Sequence, residues 1–186
     1  MELPNYAYFK GKIIPYSDAK VSVLTHALNY GTGVFGGLRG YWNEDHQQLY
    51  LFRPQDHFRR FLDSGKLINI HLPQSPQDLT GVAIELLRTE AYRCGVYIRP
   101  LAFKADEIIG VKLHGLTDEL SIIAIPFDKY VTNDTSAHVT ISSWRRVDDN
   151  AIPARGKISG AYANSALIKT DAVLSGFDEA LVLNQD

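Results

Sequence analysis

Cysteine is nearly absent: Cys94 is the only one in 186 residues, so no disulfide can form within the chain and a disulfide-stapled fold is excluded. Long apolar runs are missing as well. No stretch approaches the roughly 20 apolar residues that span a bilayer, and the opening MELPNYAYFKGKIIPYSDAK has no apolar segment behind a basic start, so a secretory leader is not expected. Nor is there an excess charge of one sign. Nineteen Lys and Arg against 21 Asp and Glu leave a formal net charge of -2, which gives no basic field for nucleic acid or an anionic membrane. Small molecules are the expected partners and the cytoplasm the expected compartment. The six histidines are not at metal-ligand spacing and have no cysteine partner, so no metal site is expected. A G-x-S-x-G elbow is missing too, as are internal repeats and low-complexity tracts.

What is present is an ordinary globular composition, 45% hydrophobic and 22% charged, sufficient for a substantial core. Strand-like runs come first: YAYFKGKIIPY with a turn at Lys10-Gly11-Lys12, then AKVSVLTH, then GGLRGYW and QLYLF flanking the polar turn NEDH. In RPQDHFRRFLDSGKLINI, Phe58, Phe61 and Leu62 recur at i, i+3 and i+4, which predicts a helix with one buried face. A second helix is predicted in SPQDLTGVAIELLRTEAYRCG, with Ser75 as N-cap, Asp78 completing a capping box, Leu79, Val82 and Leu86 on one side and Gly95 at its end. The strands VYIRPLAF and LSIIAIPF follow, each with a proline that reads as an edge or a strand end, on either side of the irregular KADEIIGVKLHGLTDE. After the polar DKYVTNDTSA come a strand HVTISSW, a helix from about Ala161 to Ser175 stopped by Gly176, and a strand EALVLNQD. That last strand leads into a turn whose return strand lies beyond Asp186, so the chain reads as stopping inside a second domain. Without regular βαβ alternation the fold class is α+β. The expected division is a small α/β domain over 1–128, a linker over 129–136, and the first part of a larger domain over 137–186.

Gly31-Thr32-Gly33-Val34-Phe35-Gly36 is a literal G-x-G-x-x-G with Asp56 about 20 positions on, as a dinucleotide site requires. Its context is wrong. The fingerprint needs a buried strand before the glycines and a helix opening within them, whereas the aromatic, glycine-rich GGLRGYW follows. A bent strand with close backbone approach is the better reading.

Lys157 stands in IPARGKISGAYANSALIKTDA among Gly156, Ser159, Gly160 and Ala161, with Tyr162 in the first turn of the next helix. A lysine that performs chemistry must lose its proton near neutral pH, which burial and nearby positive charge favour. It could then form a Schiff base with a carbonyl. Spacing alone leaves this open beside the plainer reading of a solvated surface lysine.

The stretches THALNYGTGVFGGLRGY, LFRPQDHFRRFLDSGKL, VYIRPLAF, EIIGVKLHG and SSWRRVDDNAIPARGKISGAYANSALIKTDAVLSGFDEAL together resemble the fold-type IV, pyridoxal-phosphate-dependent aminotransferases, most closely the branched-chain amino acid aminotransferases. The resemblance runs in order along essentially the whole chain. It implies a two-domain fold of which the second domain is incomplete here, pyridoxal 5'-phosphate as cofactor, and a homodimer. Residue by residue it implies that Lys157 holds the cofactor as a Schiff base and shuttles the substrate proton. Tyr162 would bond the cofactor's phenolic oxygen, and Arg60 would clamp its phosphate, with Arg59 left as a solvated neighbour. Tyr30, Phe35, Gly37, Arg39, Tyr97, Arg99 and Tyr130 would line or support the substrate pocket, Arg99 meeting the distal carboxylate of glutamate. Val111 and Tyr30 would be contributed across the subunit interface.

The implied reaction is ping-pong transamination of branched-chain L-amino acids with 2-oxoglutarate. Two departures touch the pocket. Gly36 stands where the family usually has Glu, and Phe127 where bacterial members often have Trp. These keep open D-amino acid or amine transamination, or lyase action on aminodeoxychorismate, on the same fold. A non-catalytic binding module is the third reading.

Overall fold

The computed structural model describes residues 3–127 and 136–185. Strands β1 (Tyr6–Phe9) and β2 (Lys12–Pro15) form a hairpin closed by Lys10 and Gly11 at φ of 48° and 85°. Two successive positive φ values match the twist of the flanking strands, and glycine supplies the second without steric strain.

The stretch that follows departs from expectation. Residues 19–25 form no strand beyond an isolated bridge from Thr25 to Glu107, and a short helix, α1 (His26–Tyr30), begins where a strand was expected to end. Val21 and Val23 are 48% and 80% exposed. Their alternation therefore marks an outward apolar edge rather than a face laid on the core.

Strands β3 (Gly33–Phe35), β4 (Leu38–Asn43) and β5 (Gln48–Leu51) come next, β4 and β5 paired across the polar turn as their sequence predicts. With β6 (Val96–Lys104) and β7 (Asp118–Pro126) they complete a seven-stranded antiparallel sheet in the order β2-β1-β7-β6-β4-β5, β3 also pairing with β6. Pro126 ends β7, as expected. Pro100 does not mark an edge: it lies in the middle of β6, an inner strand. Its carbonyl accepts from Gly36 N–H at 2.9 Å, so the side of Pro100 that lacks an N–H faces the gap between the β3 and β4 registers, where no ladder bond is lost.

Helices α2 (Pro54–Lys66) and α3 (Pro76–Glu90) cover one face of the sheet. Their apolar stripes, Phe58 and Phe61 on one and Leu79, Ala83 and Leu86 on the other, pack with Val34, Leu38, Val96, Ile98 and Ile122 into one core. Burial of each larger side chain contributes about 1.5–3 kcal/mol. Helix α3 ends at Glu90, with Ala91 left-handed at φ 56°, earlier than the Gly95 expected.

The capping box at Ser75 and Asp78 forms as predicted: Asp78 N–H donates to Ser75 Oγ at 3.2 Å, and Ser75 N–H donates back to Asp78 Oδ2 at 2.8 Å. The Ser75 hydroxyl, then its backbone N–H, hold the Asp78 carboxyl below the ordinary carboxylate range. Unfolding returns that carboxyl to its ordinary value, so the folded state binds fewer protons. The contribution is full above that value and is lost as pH falls through the depressed one. Ser75→Ala is expected to lower the urea midpoint at pH 7 by roughly 0.5 M, and the deficit should shrink in acid below about pH 4. An equal deficit at pH 7 and pH 3 would contradict the linkage.

The remaining elements are β8 (Val139–Ile141), α4 (Tyr162–Leu174) and β9 (Glu179–Leu181). Strands β8 and β9 pair in parallel, with α4 in the connection between them. The strand at Glu179 thus has one partner within the chain, β8. One parallel β-α-β unit stands beside an otherwise antiparallel fold. Gly176, at φ 83°, follows α4 as predicted. Among the described residues no helix is long and apolar enough to cross a membrane.

Candidate active site

Alternation along β6 sorts its side chains. Val96, Ile98, Pro100, Ala102 and Lys104 are buried on the helix-covered side. Tyr97, Arg99, Leu101 and Phe103 therefore face the other way. Register extends this second face: Phe35 pairs with Leu101, and Arg39 with Tyr97. Four of the residues expected in the pocket are thereby placed on one surface by strand period alone.

Lys157 is brought to that surface by backbone bonds. Phe35 N–H donates to the Lys157 carbonyl at 3.0 Å, Val34 and Ile158 form an isolated bridge, and Gly160 N–H donates to the Gly31 carbonyl at 3.0 Å. Gly31, at φ 66°, lies so close that a Cβ on it would fall 2.7 Å from Gly160 Cα. The first glycine of the false dinucleotide motif thus serves a contact between two backbones. Beside Lys157, Gly160 is met by Gly31 and Gly156 by Leu67, whose Cδ1 would lie 2.7 Å from an added Cβ.

One 3-10 turn, Ser159–Ala161, leads from Lys157 into α4. It sets Tyr162 Oη 2.7 Å from Lys157 Nζ. Nζ also lies 5.0 Å from the Phe35 ring centroid, and the Phe35 and Tyr162 rings meet edge to face at 4.6 Å. The amine is half-buried in an aromatic corner with a phenol as hydrogen-bond partner.

Beside this corner, Arg99 lies 5.1 Å from the centroids of both Phe35 and Tyr97 and donates to Tyr97 Oη at 3.2 Å. Tyr97 packs at 5.7 Å on Phe127, over which Arg39 sits at 5.2 Å. Gly37 supports Tyr97 by having no side chain: a Cβ there would fall 2.5 Å from Tyr97 Oη. Phe127 stands in the sequence only as a departure, yet two residues expected in the pocket, Tyr97 and Arg39, rest on it. The signal for it was its position directly after β7, next to the strand that carries Tyr97.

Arg60 connects to the lysine indirectly. Ser64 Oγ donates to the Arg60 carbonyl at 2.9 Å and accepts from Lys157 N–H at 3.3 Å. Ser64 was missed by sequence reading, although a buried serine on the apolar stripe of α2 is a visible irregularity. The Arg60 guanidinium is exposed and lies 3.4 Å from His57 Nδ1. Burial, then the Arg60 charge, hold the His57 imidazole below the ordinary histidine range, so the ring meets the cation as a neutral acceptor. Arg59 is exposed and paired with Asp56 at 2.7 Å, in keeping with a solvated helix position.

Tyr30 and Val111 belong to a second cluster around the loop of residues 105–117. Tyr30 Oη accepts from Gly110 N–H at 3.0 Å, and Val111 is 76% exposed. Tyr130 lies outside the described residues. Among the described residues no group of three His, Cys, Asp or Glu is arranged to hold a metal ion.

An amine beside a phenol, with an arginine on the helix whose Ser64 bonds the lysine's backbone, is a donor set that suits a phosphorylated aromatic aldehyde. The amine can condense with the carbonyl, the phenol can donate to a ring oxygen, and the guanidinium can take the phosphate.

A family model for amino-transferase class IV matches residues 33–186. The chain is 42% identical over 180 residues to a probable branched-chain-amino-acid aminotransferase of Aquifex aeolicus, covering 97% of this chain and 58% of that protein. A branched-chain aminotransferase from the archaeon Thermoproteus uzoniensis, crystallised with norvaline, superimposes with a TM-score of 0.93 at 36% identity, over 98% of this chain and 60% of that one. A T.th. branched-chain amino acid aminotransferase complexed with N-(5'-phosphopyridoxyl)-L-glutamate matches with a TM-score of 0.90 at 36% identity, again over 98% and 60%. The chain thus spans about three fifths of the length of the relatives it matches.

Proposed function

Since the chain belongs to the class IV aminotransferase family, we propose that it carries the covalent anchor and the substrate face of a pyridoxal-phosphate-dependent enzyme that transaminates branched-chain L-amino acids with 2-oxoglutarate. The observation that carries this reading is the 2.7 Å contact of Lys157 Nζ with Tyr162 Oη against the Phe35 ring.

Lys157 would hold the cofactor through its amine, Tyr162 would donate to its phenolic oxygen, and Arg60 would meet its phosphate. Bound there, pyridoxal phosphate supplies an aldehyde and an electron-withdrawing ring that stabilises the charge left when a substrate Cα loses its proton. Lys157 Nζ is the base that takes that proton and returns it later as an acid.

The pocket must alternate between an apolar side chain and a carboxylate. Phe35, Tyr97 and Phe127 offer aromatic walls for the first, and the resemblance would add Tyr130 and, across the subunit interface, Tyr30. Arg99 serves the second, and its guanidinium is not left bare when an apolar substrate binds, because it rests on the Phe35 and Tyr97 rings and bonds Tyr97 Oη. The glutamate adduct bound by the T.th. relative supports glutamate and its oxo acid as the second substrate pair.

The test is the visible spectrum of the intact protein with pyridoxal phosphate: a yellow band that L-leucine bleaches without an acceptor. Bleaching only by a D-amino acid or an amine would instead favour the alternative activities that Gly36 and Phe127 leave room for, and no band at all would favour a binding module. Arg99→Gln is expected to raise KM for 2-oxoglutarate by about 10–100-fold, the worth of one charge-assisted hydrogen bond, while KM for L-leucine changes less than about threefold. Equal effects on both substrates would remove Arg99 from carboxylate recognition.

The same proposal includes a division into a small domain over 1–128, a linker over 129–136 and the start of a cofactor-binding domain over 137–186. It is supported by the separate β8-β9 sheet. It also includes a second copy of the chain, supported by the exposed Val21, Val23, Leu24 and Leu28, and a cytoplasmic location, in keeping with the single cysteine.

A further inference from the structure

His26 is fully buried, yet none of the chemistry above uses it. Both ring nitrogens make short contacts. Nδ1 lies 2.7 Å from Thr32 Oγ1, and Nε2 lies 2.7 Å from the Gly110 carbonyl oxygen. A carbonyl only accepts, so Nε2 must carry a proton; in the neutral ring Nδ1 then accepts from the threonine hydroxyl. The ring also packs at 4.8 Å on Tyr30, whose hydroxyl accepts from Gly110 N–H at 3.0 Å. Gly110 is therefore gripped at both its polar backbone groups by side chains of one five-residue helix. Its φ of 138° is open to glycine and strained for other residues.

On either side of this gripped residue the loop turns apolar side chains outward. Ile109 is 71% exposed and Val111 76%. Burial within the chain does not fix these residues, so their position depends on the backbone at Gly110. The other end of the contact is Thr32, whose carbonyl accepts from Lys104 N–H at 3.1 Å on β6, and whose neighbour Gly31 accepts from Gly160. The histidine thus connects the loop to the same backbone that positions Phe35 and Lys157.

We propose that His26, acting with Tyr30, is a positioning residue that latches the loop of residues 105–117 to the backbone at Thr32, so that Val111 is presented to the apolar side chain of a substrate bound by a second copy of the chain. The kinetic part of this inference rests on the aminotransferase reading; the latch itself does not.

Three variants separate the contacts. His26→Asn can reach Thr32 but not Gly110. His26→Gln can place an N–H donor where Nε2 stands. Tyr30→Phe removes the second grip. Hydrogen–deuterium exchange of the intact protein with pyridoxal phosphate bound should show residues 105–117 exchanging about tenfold faster in His26→Asn, with α3 unchanged as the folding control and His26→Gln restoring most of the protection. In the same preparations KM for L-leucine should rise about tenfold in His26→Asn, the scale of one misplaced apolar contact, with kcat and the cofactor band little changed. Tyr30→Phe should show a smaller effect of the same kind.

Unchanged exchange in the loop for both His26→Asn and Tyr30→Phe overturns the latch. Faster exchange with an unaltered KM overturns the role in presenting Val111. If His26→Asn does not fold, Tyr30→Phe decides by the same readouts. A wild-type protein that turns over no L-leucine would count against the aminotransferase reading and the substrate part of this proposal, while the exchange result still decides the latch.

Discussion

Lys157→Ala is expected to reduce turnover of L-leucine by about 10⁴-fold or more, because one side chain is assigned two tasks that no neighbour can take over. In the proposed function it would be both the amine for covalent attachment and the base for a substrate held there. Tyr162 stands 2.7 Å from Nζ, but a phenol can take over neither task. Lys157→Arg should fail to the same extent. It keeps the positive charge over the Phe35 ring, while a guanidinium neither condenses with an aldehyde nor releases its proton near neutral pH. The visible spectrum with pyridoxal phosphate separates loss of attachment from loss of fold: both variants should lose the band of covalently held cofactor while keeping the wild-type far-ultraviolet circular dichroism. A Lys157→Ala protein retaining a tenth of wild-type turnover would remove this residue from its role.

A comparably large effect, on stability rather than chemistry, is expected at Lys104. Its side chain is 1% exposed, and Nζ lies 2.7 Å from Asp118 Oδ1 and 2.7 Å from the Asn69 carbonyl. Asp118 Oδ2 in turn accepts from His71 N–H at 2.9 Å. The pair pins the segment leaving α2 to the ends of β6 and β7. Lys104→Met removes the cation and leaves a mostly buried carboxylate with one backbone donor. Breaking a buried pair in this way costs about 3–5 kcal/mol, read as a drop in the urea midpoint at constant m-value. Replacing both partners, as Lys104→Met with Asp118→Leu, should be less damaging than Lys104→Met alone, because no charge is then left unpaired. A single-variant loss below about 1 kcal/mol would show that water reaches the carboxylate and the pair is not a true interior contact.

Lys104 illustrates how much was legible beforehand. The strand expected from VYIRPLAF ends at Phe103 and leaves Lys104 in the irregular stretch that follows, whereas β6 runs on to Lys104 and carries it on the buried parity of Val96, Ile98, Pro100 and Ala102. The pattern also lacked the partner. Asp118 is fourteen residues away, beyond a loop without regular structure, and only the pairing of β6 with β7 sets Lys104 opposite it. Helices α2 and α3 were legible for the opposite reason. Their apolar stripes, the Ser75 cap and the Pro76 start are local signals that need no distant partner. Pro100 misled because an edge is a property of the sheet, and here a break between two neighbouring strands accommodates proline on an inner one. The run at residues 19–25 misled because alternation specifies two faces but supplies no neighbour for the backbone.

The sequence by itself determined the local structure that forms within a few residues: the Lys10-Gly11 hairpin, the capped and amphipathic helices, the start of a helix that puts Tyr162 in its first turn, and an ordered set of stretches specific enough to mark the family. Tertiary structure alone decided which of these meet. Gly31 and Gly160, separated by 128 intervening residues, touch because neither has a side chain to prevent it. The loop around Gly110 is fixed because a histidine 84 residues earlier is buried against it. Phe35, Tyr97, Arg99 and Lys157 form one surface because strand register and backbone hydrogen bonds align them. Such contacts depend on the entropy and packing of the whole chain, and no window of sequence contains the information to place them.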